Sequence, residues 1–411
     1  MADRNVDFLL IGGGLAAGNC ARWLRRSGAD GSILLVGREP DLPYDRPPLS
    51  KGYLQGKDSR DDALFQTAEW YAEQQIEVLT RTSAMKLDLQ ERTVKLSTKE
   101  EVGFGKALVA TGANVRRLNV TGAELEGIHY LRTLGNSDAI RRDAAGKRVV
   151  LIGGSYIASE VAATLTELGS ECTMVMLEER ALIRSFGREA ATYFHDLLAG
   201  HGITLHGEDE LDRLEGADGR VTTVVTKTGR EIPADAVIIG AGVNPDIMLA
   251  RGAGLELGET GGVRVNSRLE SGTPGVYAAG DMAEYESVVH GGRRIRVEHW
   301  DVAFNHGKTV ALNMLGKDVA HDVVPYFFSD LSDWAAIEYV GPAYDWDREV
   351  IRGSVDDGAF SVFYLHGGHV GGALSVGRPE DLQHARRFIA DHTDIGDPAA
   401  LGDLSTDLET L

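Results

Sequence analysis

The stretch that most restricts the fold is Val6-Asp7-Phe8-Leu9-Leu10-Ile11 running straight into Gly12-Gly13-Gly14-Leu15-Ala16-Ala17-Gly18. An apolar run that breaks into glycines and then into an alanine-rich segment predicts strand, tight turn and helix. The G-x-G-x-x-A spacing falls on Gly12, Gly14 and Ala17. Gly12 permits the turn, Gly14 has no Cβ to hold a pyrophosphate away, and Ala17 is small enough for close helix–strand packing. The N–H groups that open the helix, from Leu15 and Ala16 onward, lack partners within it, and the helix dipole favours a phosphate there. A glycine turn in an ordinary βαβ unit stands beside this reading.

The pattern recurs. Arg148-Val149-Val150-Leu151-Ile152 leads into Gly153-Gly154-Ser155-Tyr156-Ile157-Ala158, with Ile157 in the first helical turn and Ala158 at the third motif position. Ser155 takes the place of the second glycine. Its Cβ restricts the approach of a pyrophosphate and disfavours positive φ, so either the phosphate shifts or the hydroxyl bonds to it. Each unit has an acid at the expected distance. Glu39 follows the predicted strand Ser32–Val36, 22 residues beyond Ala17, and Glu178 ends the predicted strand Cys172–Leu177, 20 beyond Ala158. A carboxylate there accepts bonds from ribose hydroxyls and repels a 2′-phosphate, which favours NADH over NADPH. Arg180 and Arg184 work against that preference, Arg38 allows the first assignment to slip by one, and a solvated loop glutamate is the alternative for Glu39. Two such units in one chain favour two bound nucleotides over a structural duplication.

At 411 residues the chain has room for two or three domains. A net charge of −20 argues against nucleic acid as a partner. The start lacks an apolar signal region and no run of about eighteen apolar residues occurs, so a cytoplasmic protein without a membrane span is expected. Cys20 and Cys172 are far apart and no C-x-x-C is present, which excludes a dithiol redox centre and suggests two small buried hydrophobes.

Between Pro43 and Leu54 runs Pro-Tyr-Asp-Arg-Pro-Pro-Leu-Ser-Lys-Gly-Tyr-Leu. Its prolines fix an extended, donor-poor backbone that presents Arg46 and Lys51. The string resembles the P-Y-x-R-P-P-L-S-K signature of flavoprotein reductases that serve ferredoxins and rubredoxins. That group includes monodehydroascorbate reductases and apoptosis-inducing-factor flavoproteins, and the resemblance extends over nearly the entire chain. It implies an α/β fold with two Rossmann-like dinucleotide-binding domains, like glutathione reductase, plus a C-terminal α+β domain. The implied boundaries are 1–115 and 246–320 for FAD, 116–245 for NAD(H), and 321–411 for an antiparallel-sheet domain.

The same resemblance implies individual roles. Arg46 and Lys51 lie against the flavin, Lys51 near the edge that receives hydride and paired with Glu160; an ordinary interdomain salt bridge is the alternative for that pair. Ala107-Leu108-Val109-Ala110-Thr111-Gly112 resembles an A-T-G turn that packs near the cofactor, and Ala84 falls at a backbone contact to adenine. Arg132 in Leu-Arg-Thr-Leu points at the flavin or is a surface charge at a domain joint. Gly242 closes the second unit in a turn beside the nicotinamide path. Gly280-Asp281 resembles the second flavin motif, where Asp281 bonds the ribityl chain, caps the next helix, or does both. Arg296-Val297-Glu298-His299-Trp300 resembles an R-x-E-x-W segment that lines the ring, with Trp300 near the nicotinamide or simply in the core. His299 reads as a packed or exposed histidine. Phe328 stands where many relatives have the tryptophan of F-W-S-D. By pattern, runs near Glu77–Leu79 and Thr93–Leu96 suggest an antiparallel meander. Short strands at Tyr326–Phe328, Ala336–Val340, Glu349–Ile351, Phe360–Leu365 and Val370–Val376 precede a helix over Pro379–Ala390.

Hydride transfer between stacked rings requires positioning and charge balance rather than a proton-abstracting triad. No triad is apparent and no metal is called for; it is the family resemblance that implies Lys51, Glu160 and Trp300 as the catalytic residues. Without a C-x-x-C, electrons must leave directly to an external acceptor. A ferredoxin-type iron–sulfur protein supplying an oxygenase or cytochrome P450 is the first choice. An acidic partner would need a positive patch, either Arg293, Arg294 and Arg296 or Arg22, Arg25 and Arg26. The alternatives are a monodehydroascorbate- or quinone-type small-acceptor reductase and an apoptosis-inducing-factor-like NADH sensor. A monomer or homodimer is expected.

Overall fold

In the computed structural model, which describes residues 2–411, the chain divides into two units. The first takes in residues up to Asp45, Ala63–Asn114 and Asn244–Phe327. Its central strand is Arg4–Ile11, flanked in parallel by Ile33–Val36 and Glu101–Val109. Ile76–Leu79 extends the sheet in parallel beyond Ile33–Val36, and Val276–Ala278 pairs in parallel with Ala107–Val109. Strands covered on both faces are apolar throughout rather than alternating, and all four residues of Ile33–Val36 are buried.

An antiparallel meander is present, but its members are Ala84–Asp88, Thr93–Leu96 and Glu101–Val109. The expected run at Glu77–Leu79 belongs instead to the outer parallel strand. That strand lies at a sheet edge, where Glu77 is exposed and Ile76 buried, and half-solvated alternation looks the same in either kind of sheet. The helices Leu15–Arg26 and Trp300–Met314 pack against each other closely enough to require Gly307. A Cβ there would fall 2.5 Å from the Ala16 carbonyl oxygen. The Asn19 amide donates to the Phe304 carbonyl across the same contact.

The second unit takes in Arg46–Asp62, Val115–Val243 and Phe328–Leu411. It holds a five-stranded parallel sheet in the order Thr204–His206, Glu171–Val175, Arg148–Ile152, Ala236–Ile239, Ile128–His129. The strand expected to reach Leu177 ends at Val175, and Leu177 is exposed. Helix Tyr156–Glu167 buries Ala158, Val161, Ala162, Ala163 and Leu165. Beside these lies an antiparallel sheet of Leu211–Ala217, Arg220–Thr226 and Glu231–Pro233. The C-terminal sheet runs Tyr326–Leu331, Ala335–Val340, His369–Val376, Ala359–His366, Arg348–Ser354, and helix Pro379–Ala390 packs on it through Leu382, Ala385 and Phe388. Its strands outrun the expected ones because the alternating pattern stops at polar residues while the ladder continues. Among the described residues no helix is long and apolar enough to cross a membrane, and no group of three or more potential metal ligands occurs.

Candidate functional site

The predicted residues divide between the two units, and each unit is built around one glycine turn. In the first, Gly12 has φ +131°, and a Cβ on it would lie 2.0 Å from the Ala110 carbonyl oxygen. No side chain fits there. Gly14 is needed for another reason. Its backbone is extended (φ −99°, ψ −177°), and an added Cβ would meet nothing within 4 Å. Helix Leu15–Arg26 therefore opens onto free space, with no acid in its first turn to compete for its N–H groups. Space and unpartnered donors at a helix N-terminus are what a pyrophosphate requires, so the residues present fit FAD. Gly280, at φ +73°, lies across from this turn, where its Cβ position is 3.6 Å from that of Ala16.

Other first-unit residues are held by specific bonds. Glu39 accepts from the Tyr44 hydroxyl, while Arg38 pairs with Asp246 at 2.8 Å. The Thr111 hydroxyl donates to the Asp246 carbonyl and sits 2.9 Å from the Met282 sulfur, linking the A-T-G turn to the Gly-Asp turn. Gly112 has φ +70° and accepts from the Asp246 N–H at 2.8 Å. Arg296 donates to the Asp281 carbonyl at 2.9 Å and pairs with Glu298. The Trp300 indole donates to Asp45 at 2.7 Å and its ring stacks on Phe304, 5.1 Å between centroids and 16° apart. Burial pushes the Asp45 carboxyl above its usual range, and the indole bond pulls it back. Ala84 opens a meander strand opposite Leu96.

In the second unit Gly153 repeats the geometry of Gly12: φ is +118°, and a Cβ would lie 2.5 Å from the Gly240 carbonyl oxygen. The expected conflict at Ser155 does not arise from the backbone. Ser155 is extended (φ −85°, ψ 173°), as Gly14 is, so a side chain costs nothing conformationally. Its hydroxyl donates to the Gly240 carbonyl at 3.3 Å. Ile157 in the first turn is exposed. Glu178 pairs with Arg184 at 2.6 Å, and Arg180 pairs with Glu179. Gly242 has φ +84° and accepts from the Arg116 N–H.

A buried polar cluster of this unit surrounds Glu160, whose side chain is 4% exposed. Lys51 Nζ lies 2.7 Å from its Oε1. The hydroxyls of Ser50 and Ser329 donate to its two oxygens, each at 2.5 Å. The Lys51 ammonium also stands 5.6 Å from the centre of the Phe328 ring, within cation–π range. Burial raises the Asp330 carboxyl beyond its usual range, with Lys51 opposing the shift. Arg46 donates to the Arg132 carbonyl. Ser50 and Ser329 were not singled out from sequence, although both sit inside quoted motifs. A serine beside a charged motif residue gives no sign of which carboxylate it will meet.

The two arginine clusters are largely engaged within the fold. Arg25 donates to four backbone carbonyls, of Ala29, Gly31, Gln74 and Gln75. Arg294 donates to the Val265 carbonyl, and Arg22 lies over the rings of Phe65 and Phe304. Both cysteines are free and buried; burial raises the Cys20 thiol far above its usual range and pushes Cys172 up to about 11.

Two acid-free helix starts behind positive-φ glycine turns, each at the end of a parallel strand, define a protein with two dinucleotide-binding units. The chain belongs to the pyridine nucleotide-disulphide oxidoreductase family, which it matches over residues 6–307, and residues 326–411 match the reductase C-terminal family. It is 33% identical over 412 residues to the 5,5'-dehydrodivanillate O-demethylase ferredoxin reductase subunit of a Sphingobium species, covering 99% of this chain and 98% of that one. The crystal structure of the ferredoxin reductase for the CYP199A2 system from Rhodopseudomonas palustris superposes with a TM-score of 0.93 at 34% identity, covering 98% and 99% of the two chains. The covalent putidaredoxin reductase–putidaredoxin complex gives 0.93 at 32% identity, covering 100% and 98%.

Proposed function

We propose that this chain is an NADH-dependent FAD flavoprotein reductase that passes electrons to a ferredoxin-type iron–sulfur protein, which in turn supplies an oxygenase or cytochrome P450. The observation that carries the reading is the pairing of two dinucleotide turns with two inaccessible, protonated thiols. The fold can take up electrons from a nicotinamide, and no dithiol exists to receive them. Three relatives whose names include a redoxin or a ferredoxin support the choice of acceptor.

When bound, FAD supplies an acceptor for hydride and a donor of single electrons. The chain's own part is binding and charge placement. The N–H groups after Gly14 hold the pyrophosphate, Glu39 the adenosine ribose, Ala84 the adenine, and Thr111, Gly112, Gly280 and Asp281 the remaining length. Arg46, Lys51, Arg132, Glu298, Trp300 and Phe328 are assigned to the flavin ring through their family motifs. Glu160 fixes the Lys51 ammonium by one of its three donors, so its charge stays in place to balance negative charge on the reduced ring. Gly153, Ser155, Ile157, Glu178 and Gly242 are assigned to NADH. The corresponding domains are 1–115 with 246–320, 116–245, and 321–411, in a cytoplasmic monomer or homodimer.

Anaerobic mixing with NADH should bleach the flavin within milliseconds to seconds, and adding a ferredoxin with a cytochrome c reporter should then give steady turnover. Turnover no faster with ferredoxin than without it would sink the reading.

Cofactor preference offers a sharper measurement. Glu178 repels a 2′-phosphate, but its partner Arg184 screens that charge. Arg184→Ala is expected to raise the NADH-over-NADPH ratio in kcat/KM several-fold, and Glu178→Ala to lower it about tenfold. Equal ratios in all three proteins would remove both residues from discrimination.

A further inference from the structure

Under the Gly280–Asp281 turn lies a group of buried rings outside the family motifs. His306, on helix Trp300–Met314, is fully buried. It meets Tyr285 edge-on at 4.7 Å and 89°, and His321 at 4.5 Å and 83°. Its Nδ1 accepts the Gly280 N–H at 3.2 Å. A ring nitrogen accepts only when unprotonated, so the imidazole is neutral and carries its proton on Nε2. That second nitrogen is buried without a hydrogen-bond partner. Burying a polar ring half-satisfied is unfavourable, and an aliphatic side chain would fill the space without that cost. The bond to Gly280 is the compensating interaction.

The backbone shows why that bond matters. The Ala279 N–H still continues the sheet ladder, donating to the Val109 carbonyl at 3.2 Å. One residue later the left-handed Gly280 turns its own N–H away from the ladder and onto His306. Residues 280–282 leave the sheet beside Ala16 at the start of the first helix, and while Arg296 and Thr111 hold Asp281 and Met282, the imidazole nitrogen holds the Gly280 N–H where the turn begins.

We propose that His306 is a positioning residue for FAD. By accepting the Gly280 N–H it holds the Gly280–Asp281 turn in the orientation that meets the cofactor. This rests on the assignment of that turn to FAD made above, and the experiment separates the two. Apoprotein of the full chain is titrated with FAD, following flavin fluorescence and the visible circular dichroism of the bound form, for wild type, His306→Leu and His306→Asn. Leucine removes the acceptor; asparagine places Oδ1 where Nδ1 stood. We expect the leucine variant to bind FAD at least tenfold more weakly with an altered dichroism band, and the asparagine variant to lie within about threefold of wild type. Unchanged affinity and dichroism in His306→Leu overturns the proposal. So does an asparagine variant as impaired as leucine, which would mean that ring packing, not the acceptor, is what matters; this arm decides the matter even if the leucine variant does not fold. A wild-type chain that takes up no FAD overturns the functional reading itself, before any variant is compared.

Discussion

Gly12→Ala is expected to yield colourless protein, and Gly153→Ala yellow protein that NADH reduces poorly. The two glycines are equivalent in geometry. Each holds a φ that L residues avoid, +131° and +118°, and each points its missing Cβ at a backbone carbonyl oxygen, 2.0 and 2.5 Å away. A side chain at either position adds about 1–3 kcal/mol of backbone strain and a steric overlap that only a main-chain shift relieves. The total cost should be about 3 kcal/mol or more. The shift displaces the start of the helix that each turn introduces. Consequences differ because the proposed function gives the two helix starts different nucleotides. Flavin absorbance per mole of protein measures the first effect. The rate of anaerobic reduction by NADH measures the second, and it should fall at least a hundredfold with flavin content unchanged. Full flavin occupancy in Gly12→Ala, or loss of flavin in Gly153→Ala, would reverse the assignment of the two halves.

The second large effect concerns acid. His321 is buried, with Thr309 3.2 Å from its Nδ1, and burial pushes its imidazole down to about 4, with Asp322 opposing. His306 is displaced in the same direction by burial and then by His321. A base whose folded pKa lies below its unfolded value stays neutral in the native state while the unfolded chain takes up a proton. The stability linked to His321 is therefore complete above about 6.5 and is lost as pH falls toward 4. At roughly 1.4 kcal/mol per proton per pH unit, His321 should remove about 3 kcal/mol over that interval, and His306 adds to the loss. Urea unfolding at pH 7.5, 6, 5 and 4.5 should show midpoints that decline throughout, and His321→Gln should flatten the slope. A midpoint constant down to pH 4.5 would contradict this account.

How much of this was legible in the sequence depends on how local each determinant is. The turn at Gly12 is written in adjacent residues, because strand, glycine and small helix residue must follow in fixed order, and the second copy at Gly153 could be read the same way. Glu160 was reachable only through resemblance to a family, and its two serine partners not at all, since residues 50, 160 and 329 meet only after folding. Ser155 shows the opposite failure. The motif suggests that a Cβ at its position conflicts with the backbone, whereas the glycine of the first copy is itself extended there and needed only for space. The run at Glu77–Leu79 was misplaced because alternation reports half-exposure and not strand direction. The arginines read as a docking patch turned out to include Arg25, whose guanidinium ties down the carbonyls of two loops. Charge can be counted from a sequence, but whether a cation faces water or a carbonyl depends on the fold.

The carboxylate of Glu160 gathers Ser50, Lys51 and Ser329 onto its two oxygens. The four positions are consequently coupled to one another. Exchanging any one of them between relatives leaves the others without their match, so single swaps should look worse than the combined transplant. Efforts to retarget the protein to a new redox client do best to leave that quartet untouched and vary residues outside it.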